Sequence, residues 1–116
     1  MIANELALLI ETRRDLHRHP ELGFQEHRTA GIVAERLRAA GYEVETGIAE
    51  TGVVGTLRGA GDGPTLLLRA DMDALPILEE CGHDFVSTHA GGGHACGHDA
   101  HVAIGRATGE GLARPR

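Results

Sequence analysis

An α/β architecture is what this 116-residue chain predicts, and three observations carry that reading. Two stretches with helical periodicity come first, and the period then shortens to two from Tyr42 onward. A continuous apolar run, "TLLLRA", follows and leads into a loop crowded with acidic, histidine and cysteine side chains.

Ile2, Leu6, Leu9, Arg13 and Leu16 recur at helical spacing behind a candidate cap at Asn4. Pro20 cannot continue a helix, so the first one ends near Arg18 and "RHPELGF" is its exit loop. From Gln25, the residues Ala30, Val33, Leu37 and Ala40 share one face, and Gly41 suits the left-handed position just past a helix end. Tyr42, Val44 and Thr46 alternate with acidic residues as a first extended run, and "GVVGTLRG" is a second. "GAGDGP", residues 59–64, is a turn by composition.

"TLLLRA", residues 65–70, is short, apolar on both faces and bounded by a turn, which predicts a central strand buried by layers on either side. That makes about three strands. "DMDALP" lies at its carboxyl end, where ligand-binding residues gather in open α/β sheets. From Ile77 to Gly93 there is no periodic signal. Asp99 is a candidate cap for a last helix, "AHVAIGRAT", kept short by Gly105, Gly109, Gly111 and Pro115. Residues 1–104 read as one domain portion, and residues 105–116, rich in Gly and Arg, as a poorly ordered tail.

Composition narrows the function classes. Hydrophobic residues at 41% and charged residues at 24% describe a globular chain rather than a disordered one. Eleven basic against seventeen acidic residues give a formal charge of −6, with no basic cluster to meet a nucleic acid or an anionic membrane. The N-terminal stretch carries Glu5 and lacks a basic leader, and no apolar run reaches membrane-spanning length, so a cytoplasmic setting is expected. There Cys81 and Cys96 serve as thiols or ligands rather than a disulfide.

Between Cys81 and His101 lie two cysteines and five histidines, namely His83, His89, His94, His98 and His101. Thiolate and imidazole suit borderline-soft divalent metals such as zinc. In Cys96-Gly97-His98 the two donors sit two apart, and the glycine lets the chain bend around an ion. Asp99 and His101 are placed to hydrogen-bond such ligands. Asp71 and Asp73 also read simply as solvated strand-end residues, and His17 and His19 as the polar end of the first helix. "CGHD" occurs twice, so Cys81, His83, Cys96 and His98 define an alternative, a small non-catalytic zinc module.

Taken in order, "LHRHPELGFQE", "RADMDALPI" and "HACGHDAH" resemble the start of the metal-dependent amidohydrolases that include hippurate hydrolase, indole-acetyl-amino-acid hydrolases and N-acyl-amino-acid amidohydrolases. These are relatives of aminoacylase and carboxypeptidase G, and the resemblance runs from Leu9 to Ile104. It implies part of a zinc-exopeptidase-like catalytic domain, with one or two divalent ions (zinc, manganese or cobalt) and a small N-acyl-amino acid as substrate. Self-association of a full-length form is left open.

By position, the resemblance carries over Cys96 and His98 as metal ligands. Asp73 matches the acidic residue that, in related branches, orients a ligand histidine two residues earlier. Asp71 stands in that histidine's place and becomes a supporting group, as do His94, Asp99 and His101. The resemblance further implies a Glu-Glu general base downstream of "GHDAH". The only Glu-Glu pair here, Glu79-Glu80, precedes that motif. The expectation is a fragment of the family's site, inactive as this chain alone, with a non-functional remnant as the remaining alternative.

Overall fold

The computed structural model describes residues 2–76, 87–88, 92–94 and 96–114. Among them the order is α1 (Ile2–Arg18), α2 (His27–Ala39), β1 (Glu43–Ile48), β2 (Gly52–Thr56) and α3 (His98–Leu112). The mixed helix and strand class predicted from the sequence is what the chain adopts.

Both N-terminal helices follow their periodicity. α1 ends at Arg18, two residues before Pro20. The exit loop that follows does more than connect. The carboxylate of Glu21 accepts hydrogen bonds from the backbone N–H groups of Arg28 (2.8 Å) and Thr29 (2.6 Å), two donors that the first turn of α2 leaves without helical partners. Its negative charge also sits at the positive end of the helix dipole. At the other end, Gly41 takes φ +96°. Its N–H reaches the carbonyl of Arg38 at 3.0 Å and the N–H of Tyr42 reaches that of Leu37 at 3.0 Å, the paired bonds of a Schellman ending.

β1 and β2 form an antiparallel hairpin, with Val44 facing Gly55 and Glu45 facing Val54, and a register shift before the Ile48–Gly52 pair. Ala49 and Glu50 turn the chain with positive φ, as a tight hairpin requires. The hairpin packs on α2, and α3 packs on both α1 and α2. Leu16, Ala34, Val102 and Ala103 are buried in the helical part, together with Ala74.

Two expectations are corrected. Residues 65–70 make no ladder among the described residues, so the sheet has two strands rather than three. Leu66, Leu67 and Leu68 are 76%, 84% and 53% exposed where burial on both faces was expected. A central strand needs neighbours on both edges, and the described chain supplies bridges only further on, between Leu22 and Ala74 and between Leu75 and Gly93.

α3, for its part, continues through Gly105, Gly109 and Gly111 to Leu112, whereas the glycine content predicted an early stop and a poorly ordered tail. Packing overrides propensity here. A Cβ on Gly105 would lie 3.3 Å from that of Ala70, and one on Gly109 would lie 3.5 Å from both Leu37 and Tyr42. Tyr42 Oη donates to the Gly109 carbonyl at 2.7 Å, and Glu110 is held by Arg36 (3.0 Å) and Arg106 (2.7 Å).

Candidate functional site

The segment after the exposed leucines and the turn before α3 meet. Gly97, with φ +84°, precedes the first helical residue, His98, and lets the chain reverse between Cys96 and the helix. Ala74, three residues before the undescribed segment, is buried and bridged to Leu22, so Asp71 and Asp73 are delivered to the same place from the other side.

With the proton on Nδ1, His98 donates to Asp73 Oδ1 at 2.9 Å and lies 3.1 Å from the backbone carbonyl of the same residue. Nε2 of His98 is then the nitrogen with the available lone pair, and Asp71 Oδ2 stands 3.7 Å from it. Asp71 is itself gripped by Arg69 at 2.5 Å. Cys96 is an exposed free thiol whose Sγ lies 3.9 Å from the Asp73 carbonyl, and the His101 ring is centred 5.8 Å from that of His98. Cys96, His98, Asp71, Asp73 and His101 are thus brought together.

A carboxylate on one imidazole nitrogen with the other nitrogen free is the arrangement that orients metal-binding histidines. Together with a thiol, it supplies donors that a divalent ion of the zinc type accepts. Two side chains are half of a tetrahedral set. Among the described residues no group of three or more His, Cys, Asp and Glu side chains converges to hold an ion. Cys81, His83, His89, Glu79 and Glu80 lie outside the described residues, and the zinc-module alternative rests on the first two.

Asp99 differs from its expected part. Gly97, not Asp99, occupies the cap position of α3. Asp99 is fully buried, and its Oδ2 accepts from Arg13 Nε at 2.8 Å and from His17 Nδ1 at 2.7 Å. Its Oδ1 has no hydrogen-bond partner among the described residues. His94 is buried beside this pair, with its ring centre 6.3 Å from that of His17 and both ring nitrogens without a partner among the described residues. Burial pushes the His94 pKa below its ordinary value. Asp99 and Asp73 pull it back up, while His17 and His98 push it further down.

Arg13 and His17 escaped the sequence reading, which placed His17 at a polar helix end. The signal was there in Arg13, which falls on the apolar stripe of α1. A charge on an apolar stripe calls for a partner where that stripe is covered.

The helical scaffold, the two carboxylates that follow residues 65–70 and the thiol–imidazole turn define a mixed helix and strand fold that gathers metal-binding side-chain types at one place. The model of Peptidase family M20/M25/M40 matches residues 67–114, the stretch that holds Asp71, Asp73, Cys96, His98 and His101. The Synechocystis sp. protein named Probable hydrolase sll0100 is 54% identical over 89% of this chain and 26% of its own length. N-acyl-L-amino acid amidohydrolase of Geobacillus stearothermophilus is 47% identical over 83% of this chain and 26% of its own.

Among solved structures, a chain from methicillin resistant Staphylococcus aureus superposes with a TM-score of 0.90 at 45% identity, over 96% of this chain and 28% of that one. Bacillus subtilis YXEP, described as a dinuclear metal binding peptidase from the M20 family, gives 0.81 at 43% identity, over 87% and 28%. The chain resembles the N-terminal part of the metal-dependent amidohydrolases of this M20 family. It spans about a quarter of the length of the curated relatives it matches.

Proposed function

We propose that Cys96 and His98, backed by Asp73, are the metal-holding half of a hydrolytic site that cleaves the amide bond of N-acyl-amino acids. The observation that carries this is the Asp73–His98 pair, 2.9 Å apart, which leaves Nε2 available beside the Cys96 thiol. One or two divalent ions, zinc, manganese or cobalt, would supply a water of lowered pKa and a Lewis acid for the amide carbonyl.

The chain's own residues do the rest of this half. Asp73 keeps the proton on His98 Nδ1 and fixes the ring plane. Cys96 serves as the thiolate, and Asp71 adds negative charge that favours a cation close to His98. His94, Asp99 and His101 support the pair from behind and beside it.

Neither carboxylate near His98 is left as a general base, since Asp73 holds the imidazole and Asp71 is paired with Arg69. The base and the remaining ligands come, in this reading, from beyond these 116 residues, and the chain alone turns over no substrate. The formal charge of −6 and a thiol kept reduced suit a small-molecule substrate in the cytoplasm, with neither nucleic acid nor membrane as partner. No helix among the described residues is long and apolar enough to cross a membrane. The test is release of free amino acid from N-acetyl- and N-benzoyl-amino acids with added zinc, manganese or cobalt. The expected result is metal binding without turnover, and hydrolysis at an ordinary enzymatic rate would refute the division of the site.

A further inference from the structure

We infer that Arg13 and His17 of α1 are positioning residues for the Cys96–His98 pair, acting through Asp99. The inference rests on the reading of Cys96 and His98 as the metal-holding pair. Asp99 follows His98 directly in the chain and is 0% exposed. A carboxylate taken fully out of water is costly unless it is paired and hydrogen-bonded. Arg13 and His17 both come from α1, more than eighty residues away in sequence, and both converge on the same oxygen, Oδ2, at 2.8 and 2.7 Å.

Those two contacts fix more than one side chain. With its side chain anchored, Asp99 fixes the peptide it shares with His98, at the first turn of α3. Gly97, just before, takes a left-handed φ of +84°, and with no Cβ it has many other conformations open to it if nothing restrains it. The direction of the His98 ring and the distance from it to Cys96 therefore depend on whether α1 holds Asp99. His17 is 7% exposed at its side chain and Arg13 32%, so the two grips differ in how much removing each disturbs the core.

The experiment is a cobalt(II) titration of the 116-residue chain, read by the thiolate-to-cobalt charge-transfer band and by affinity. His17→Leu keeps bulk and removes the donor; His17→Asn keeps an N–H close to the position of Nδ1; Arg13→Met removes the more exposed grip. We expect about tenfold weaker binding and an altered band for His17→Leu and Arg13→Met, in the range found when groups behind metal ligands are lost, with His17→Asn near wild type. Tyr42→Phe, which loses a hydrogen bond at the far end of α3, controls for general loss of stability.

If His17→Leu does not fold, Arg13→Met against His17→Asn carries the same comparison. A wild-type band that Arg13→Met and His17→Leu leave unchanged would overturn the positioning role alone, as would an equal loss in Tyr42→Phe. Absence of a thiolate band in the wild type would overturn the ligand reading and the inference with it.

Discussion

Replacing Asp73 by alanine isolates the contact on which the site depends. The carboxylate accepts from His98 Nδ1 at 2.9 Å, and a hydrogen bond involving a charged group contributes roughly 1.5–3 kcal/mol when well shielded. Two features of the structure place the expected loss at the low end. Asp73 is 41% exposed at its side chain, so solvent screens the pair, and its own carbonyl, 3.1 Å from the same nitrogen, remains to accept the proton. The expected cost to zinc or cobalt affinity is therefore about tenfold, or about 1.4 kcal/mol.

Competition against a chromophoric chelator measures this directly, with far-UV circular dichroism to show that the variant is folded. Asp73→Asn, which keeps an acceptor but not the charge, should fall between wild type and alanine. A folded Asp73→Ala chain with affinity within twofold of wild type would refute the role assigned to the carboxylate.

Three further outcomes follow from the structure. Tyr42→Phe removes the 2.7 Å bond to the Gly109 carbonyl and should cost about 1 kcal/mol, lowering the thermal midpoint by roughly 4 °C; unchanged melting would mean that the bond adds nothing to α3. Leu67→Lys, at a position 84% exposed, should change stability by less than about 0.5 kcal/mol in urea titration, and a larger loss would mean that the side chain is covered in solution. In the metal-free chain, His94 has a folded pKa below its ordinary 6.5, so between the two values the unfolded state binds more protons. Its contribution is complete above the unfolded value and is lost as pH falls through the folded one. Urea midpoints should thus drop on acidification below about 6.5, less steeply in His94→Gln, and parallel profiles would contradict this.

How far the sequence reveals this fold depends on where each residue's partners lie. α1 and α2 are legible because their stops, Pro20 and Gly41, act locally. The hairpin is legible because the period changes at Tyr42. "TLLLRA" differs from its expectation for a physical reason: three consecutive leucines state that both faces are meant to be covered, but not by what, and the described residues do not cover them. α3 runs longer than its sequence predicts because Gly105 and Gly109 count against a helix by propensity, while Ala70, Leu37 and Tyr42 pack closely against them.

At the site, spacing and the resemblance single out Cys96 and His98, and the structure adds that Asp73 meets His98 itself, where the resemblance points to the position two residues earlier. The Arg13–Asp99–His17 cluster joins residues more than eighty positions apart, a distance that periodicity does not register. Only the charge on the apolar stripe of α1 hinted at it.

Cobalt(II) titration of the chain beside its Cys96→Ser and His98→Ala variants tests the central claim most directly. The account predicts a saturable thiolate-to-cobalt band at one ion per chain, absent in Cys96→Ser and strongly weakened in His98→Ala. A band that survives Cys96→Ser would contradict it.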